Sequence, residues 1–365
     1  MIPAGQAQTL SGSLRPSCAL PARADRAIAI WLLVCCAMIF AMAVIGAITR
    51  LTESGLSIME WAPLSGIVPP LSEAEWQRLF ALYRQIPEYR QENAGMTLGE
   101  FQTIFWWEYV HRLWGRLIGL VFALPFLWFL ITGRIRRPLL PHLIAMLALG
   151  GLQGLLGWYM VASGFAERTD VSQYRLVAHL IAAVGIYSYI LWIALGLLQP
   201  PTGAPSPAVM PLRRALWAFA GLVGLTIASG GFVAGLNAGL IYNSFPLMDG
   251  RIVPAGYAAL DPWILNFFET VEAVQFNHRV LAILVVVAAI ALFLWSRRLP
   301  LDAAQRRALL LVKLMALLQL GFGIATLLLV VPVPLAALHQ AGAILLLSLV
   351  LWALNRLRRI EPLHA

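Results

Sequence analysis

Apolar stretches of about 20 residues, enough to span roughly 30 Å of hydrocarbon, recur eight times along the chain, at about 27–48, 111–132, 141–163, 174–199, 212–234, 271–296, 305–331 and 334–355. Eight such runs predict eight transmembrane helices. The connection between the first and second runs, residues 49–110, is too long for a passive link and carries its own pattern. In "SEAEWQRLFALYR", Ser72 and Glu75 form a candidate capping box, and Trp76, Leu79, Phe80 and Tyr83 share one helical face. That predicts a short amphipathic helix on the outer surface. A second candidate box, Thr97 and Glu100, predicts a helix that runs unbroken into the second span and projects beyond the bilayer. Its counterpart in the second half is expected to start at Asp261, with Pro262 in the first helical position.

Composition agrees with this pattern: 60% of the 365 residues are hydrophobic and 12% are charged. The net charge of +9 points to topology rather than nucleic acid, because Lys and Arg collect in the cytoplasmic loops of polytopic proteins. Arginines cluster before the first span (Arg15, Arg23, Arg26), after the second (Arg134, Arg136, Arg137) and before the fifth (Arg213, Arg214). They cluster again between the sixth and seventh (Arg297, Arg298, Arg306, Arg307) and after the eighth (Arg356, Arg358, Arg359). Every second connection is basic, which places both termini in the cytoplasm. Residues 1–26 read as a disordered cytoplasmic tail and 356–365 as a basic one. Cys18, Cys35 and Cys36 form neither CxxC nor CxxCH, so no zinc site or covalently attached haem is indicated.

The chain also repeats itself. "SGLSIMEWAPLSG" (54–66) pairs with "AGLIYNSFPLMDG" (238–250), "LQGLLG" (152–157) with "LQLGFG" (318–323), and "YVHRLWGRLIGL" with "FNHRVLAIL". Each half holds an even number of spans, so both enter the membrane from the same side, as a parallel repeat. The expected fold is all-α: two tandem four-helix bundles over 27–199 and 212–355, joined by a cytoplasmic linker at 200–211.

Four of the six histidines, His111, His179, His278 and His339, fall near the outer ends of even-numbered spans, two in each half. Facing imidazoles across a helical bundle are the usual ligands of a non-covalent b-type haem. His142 and His364 sit where an interfacial or solvated histidine needs no special role. Arg112 and Arg279 follow two of the candidate ligands, and Arg116 lies one turn on, as guanidiniums suited to haem propionates. Charge in a membrane segment costs roughly 2.5 to 3.5 kcal/mol per residue on insertion scales, so these groups are functional candidates. Glu108 lies one turn before His111, whereas Gln275 holds the matching place before His278. Only the first half pairs its histidine with a carboxylate, either as a catalytic base or anion or as an ion-pair partner of Arg112 or Arg116.

The ordered set of "EYVHR" (108–112), His179, His278, His339 and the "TRLTESGLSIMEW" loop resembles the haem A synthase family over nearly the whole chain. The resemblance implies oxidation of the C8 methyl of haem O to a formyl group, giving haem A for cytochrome oxidase. It assigns His111 and His179 to the substrate haem and His278 and His339 to a permanent haem b. Implied partners are haem O, haem O synthase, cytochrome oxidase assembly factors, an electron donor, the lipid bilayer and further copies of the chain. A bacterial inner membrane is the expected location, with the mitochondrial one as the alternative. The outer loops lack the cysteine pairs of some members, which speaks against thiol-based electron entry. The competing reading is a two-haem b-type cytochrome that only carries electrons. A transporter fits less well, since the ionisable groups gather near one face rather than at the midplane.

Overall fold

A computed structural model of the chain describes residues 23–62, 65–165, 168–199 and 207–358. Cys18, Arg15, Arg359, His364, most of both expected tails and linker residues 200–206 lie outside the described residues. Those described contain eight helices long and apolar enough to cross a membrane. These are α1 (Arg23–Leu51), α4 (Leu98–Ile131), α5 (Leu140–Val161), α6 (Gln173–Leu198), α7 (Met210–Gly235), α9 (Val271–Ser296), α10 (Ala303–Leu328) and α11 (Val333–Arg356). The protein is all-helical and integral to the membrane, and the helix ends lie within a few residues of the apolar runs, except at the start of α4. Helical structure begins at Arg23 rather than 27 and resumes at Met210 rather than 212, since the apolar count ignores a polar first turn.

The start of α4 follows its cap. Thr97 accepts from the Glu100 amide while the Glu100 carboxylate accepts from the Thr97 amide, a complete capping box. The helix has 34 residues, about 51 Å at 1.5 Å per residue, so it stands well clear of a hydrocarbon layer about 30 Å thick. Two short helices, α2 (Glu73–Tyr83) and α3 (Pro87–Gln91), lie against this projection. Ser72 caps α2 through the Glu75 amide, and the apolar face packs inward, with Phe80 5.1 Å and Tyr83 5.3 Å from the Phe101 ring. The amphipathic helix therefore seals onto α4 instead of lying free on the surface.

The second half departs from expectation at its entry. Asp261 and Pro262 do not begin one continuous helix. A 3₁₀ turn at Trp263–Leu265 leads into α8 (Asn266–Glu269), and extended Thr270 breaks the path before α9. Buried Asn266 bonds the Leu260 backbone and the Trp263 carbonyl, and Thr270 turns its hydroxyl to the Asn266 carbonyl. Both side chains compete for backbone groups in the way that ends helices.

One apolar core runs through all eight spans. Its most buried members include Ile28 and Leu32 at the start of α1, Leu212 and Leu216 at the start of α7, and Leu354 near the end of α11. That is the end opposite the four histidines. At the histidine end the two halves join through polar contacts: Arg50 of α1 donates to the Ala234 carbonyl and Asn237, and Asn237 donates to Asp170. The ends of α1 and α7 therefore meet at one face, which is compatible with a parallel repeat.

Candidate haem-binding site

Each of the four histidines is seated by the span that precedes it. A Cβ on Gly46 of α1 would stand 3.0 Å from His111 Cε1, on Gly157 of α5 3.0 Å from His179, on Gly230 of α7 3.1 Å from His278, and on Gly323 of α10 2.9 Å from His339. A methyl group at any of the four positions would crowd the imidazole, most sharply at Gly323. All four rings are partly buried.

The pair in the second half has the spacing of a two-sided metal site. The ring centroids of His278 and His339 are 6.4 Å apart at an interplanar angle of 88°. Imidazoles that bind one metal from opposite sides, each through a bond of about 2 Å, put their ring centres roughly 6 Å apart. The residues present thus fit a haem iron. In the first half, His179 lies within electrostatic reach of His111. The structure brings His278 and His339 together as one of the expected pairs.

The hydrogen bonds behind the rings are partly matched. The Gln153 amide nitrogen lies 3.1 Å from His179 Nδ1 and donates to the His179 carbonyl at 2.9 Å. Gln319 repeats this with His339 at 3.1 and 2.7 Å. In both motifs the glutamine stands four residues before the glycine seat, one helical turn away, so both face the histidine of the next span. The other two histidines differ. Ser229 Oγ lies 2.8 Å from His278 Nδ1, whereas His111 Nδ1 is buried without a hydrogen-bond partner among the described residues.

Glu108 is buried, and both its oxygens are occupied. Arg112 donates to Oε1 from Nε at 3.0 Å and from Nη2 at 2.6 Å. The Ser57 hydroxyl at 2.7 Å and the Ile58 amide at 2.8 Å donate to Oε2. Arg112 continues to the carbonyls of Ile58 and Glu60. In the second half Arg279 takes the matching carbonyls of Tyr242 and Ser244 and donates to Gln275 Oε1. Gln275 in turn donates from its amide to the carbonyls of Ala238 and Ile241, both at 2.6 Å. The two halves thus clamp equivalent loops with opposite polarity: the first loop offers donors to a carboxylate, the second offers acceptors to an amide. Arg116 donates to the Ala62 carbonyl. All three candidate arginines hold outer-loop backbone at the rim of the histidine end.

A family model described as cytochrome oxidase assembly protein matches residues 29–351. The chain belongs to that family. Among its relatives, the heme A synthase of Nitrosospira multiformis is 51% identical over 336 residues, 92% of this chain and 94% of that protein. That of Rhodospirillum centenum is 52% identical over 340 residues, 93% of this chain and 91% of that protein. The human heme A synthase COX15 is 45% identical over 368 residues, 98% of this chain and 90% of that protein.

In this member of the assembly family a further acid lies under the outer segment. Glu88 on α3 is only 5% exposed. Burial, helped by the negative fields of Glu108, Glu53 and Asp170, pushes its pKa up to about 8. His142 is exposed and bonds the Tyr189 hydroxyl, and Cys35 and Cys36 are buried free thiols. Reasoning from sequence missed the four glycine seats, Gln153, Gln319, Ser229 and Ser57. The repeated "LQGLLG" and "LQLGFG" held the signal for four of them, a glutamine and a glycine one turn apart in each half.

Proposed function

We propose that the protein is a haem A synthase. It oxidises the C8 methyl of haem O to a formyl group by successive hydroxylation. The first half, 27–199, takes haem O between His111 and His179; the second, 212–355, holds a resident haem b between His278 and His339. The observation that carries this reading is 51–52% identity, over 92–93% of the chain, to proteins named heme A synthase, joined to histidines whose glycine seats recur in both halves. Haem b, when bound, exchanges single electrons.

The chain's own residues supply the rest. Arg112, Arg116 and Arg279 place positive charge at the polar rim, where porphyrin carboxylates need it, and they keep the outer loops in place over the histidine end. Glu108, one turn from His111, is the carboxylate of the substrate half. It provides fixed negative charge for a carbon that becomes electron-poor as it is oxidised, or takes a proton once Ser57 or Arg112 yields. The second half has neutral Gln275 there and is suited to electron transfer alone. The arginine clusters support an orientation with both termini in the cytoplasm and the haem sites near the outer face of a bacterial inner membrane. Co-expression with a haem O synthase, followed by chromatography of the extracted haems, tests the assignment. Haem A or its alcohol precursor is expected; haem O and haem b alone would leave a cytochrome that only carries electrons.

A further inference from the structure

The two histidines on the long-loop side, His111 and His278, are seated alike but are not held alike. Both rings lie against a glycine of the preceding helix, and both precede an arginine that clamps the outer loop. Behind His278, Ser229 Oγ donates its only proton to the Thr226 carbonyl at 2.8 Å. With the serine proton on that carbonyl, the 2.8 Å contact with His278 Nδ1 runs the other way, the imidazole N–H donating to the serine oxygen. In that arrangement Nδ1 carries the proton and Nε2 is bare, the form in which an imidazole binds a metal. It also fixes the ring plane, and a hydrogen bond at the far nitrogen makes the ligating nitrogen a stronger donor.

Serine stands immediately before the glycine seat in α7; in α1 the matching residue before Gly46 is Ile45. An isoleucine side chain offers no acceptor, and His111 Nδ1 has no hydrogen-bond partner among the described residues. The glutamines behind His179 and His339 are equivalent in the two halves, so this difference is confined to one ligand of each pair.

We propose that Ser229 is a positioning residue that makes His278 a strong, pre-oriented ligand and so retains the haem of the second half, while Ile45 leaves His111 a weaker ligand from which substrate and product exchange. The inference rests on the reading that His278 and His339 hold the resident haem. A stronger imidazole donor favours ferric over ferrous iron, so the hydrogen bond lowers the potential of that haem.

The test is a potentiometric titration of the resident haem in purified full-length protein, comparing wild type, Ser229→Ala and Ser229→Thr. Ser229→Ala is expected to shift the midpoint upward and to speed haem loss to apomyoglobin, and Ser229→Thr, which keeps the hydroxyl, to restore both. An unchanged midpoint and loss rate in Ser229→Ala would overturn the proposal. So would a shift that Ser229→Thr fails to reverse, since packing and not the hydrogen bond would then be responsible. His278→Ala serves as the separate control: if it keeps its full resident haem, the ligand assignment itself fails.

Discussion

Replacing Glu108 by glutamine removes a charge from a site where every neighbouring group donates to it. The carboxylate accepts from Arg112 through one oxygen and from Ser57 and Ile58 through the other. Glutamine has one accepting oxygen and a donating amide. Turned toward Ser57 and Ile58, its oxygen leaves the amide facing the Arg112 guanidinium, donor against donor. Turned the other way, it leaves the Ile58 N–H opposite another donor. Hydrogen bonds to charged groups contribute about 1.5 to 3 kcal/mol each, and breaking a buried ion pair costs about 3 to 5 kcal/mol. The Arg112 side chain is 20% exposed and keeps its bonds to Ile58 and Glu60, so the cost lies between these two figures, about 2 to 4 kcal/mol. Amide exchange of the 54–62 segment in detergent-solubilised protein reads this directly. At about 1.4 kcal/mol per tenfold, the Ile58 amide should exchange roughly 30- to 700-fold faster in Glu108→Gln. Exchange within a factor of two of wild type would refute the clamp. The same protein should be assayed for haem A: loss of product with the loop still ordered would locate the role of Glu108 in chemistry rather than in loop closure.

Three more predictions follow from the seats, the outer segment and the charge pattern. Gly323→Ala should lower the resident haem content per protein measured by absorbance, because its Cβ would stand 2.9 Å from His339 and overpacking costs about 1 to 3 kcal/mol; Gly157→Ala should leave that haem intact. Glu88 has a folded pKa raised to about 8, above the unfolded value, so its protonated form favours the fold. Its contribution is complete below about pH 4.5 and falls by about 1.4 kcal/mol per unit as pH rises toward 8, so Glu88→Gln should flatten the decline in melting temperature between pH 6 and 8, and an unaltered slope would contradict this. Reporter fusions at Gly250 and Arg298 should report opposite sides of the membrane.

The eight spans, the long α4 with its capping box and the four histidines were legible in the sequence because each follows a local rule: apolar length, a cap three residues wide, a titratable group in an apolar run. The break at Thr270 was not, since it depends on Asn266 folding back on Leu260 and Trp263. The glycine seats were hidden for another reason. Gly46 and Gly230 become meaningful only once α1 is known to pack on α4 and α7 on α9, and glycine is common in membrane helices. The contrast between Glu108 and Gln275 was visible, but its cause was not. Nothing in "SGLSIMEW" and "AGLIYNSF" announces that one loop points N–H and O–H groups at its helix and the other points carbonyls.

The division of labour between the halves is tested most directly by the haem content of two purified variants expressed with a haem O synthase, His111→Ala and His278→Ala. His111→Ala should keep the low-spin spectrum of a resident b-type haem while haem A disappears and haem O accumulates in the membrane; His278→Ala should lose that spectrum. Loss of the resident haem from His111→Ala alone, with haem A still formed by His278→Ala, would contradict the account.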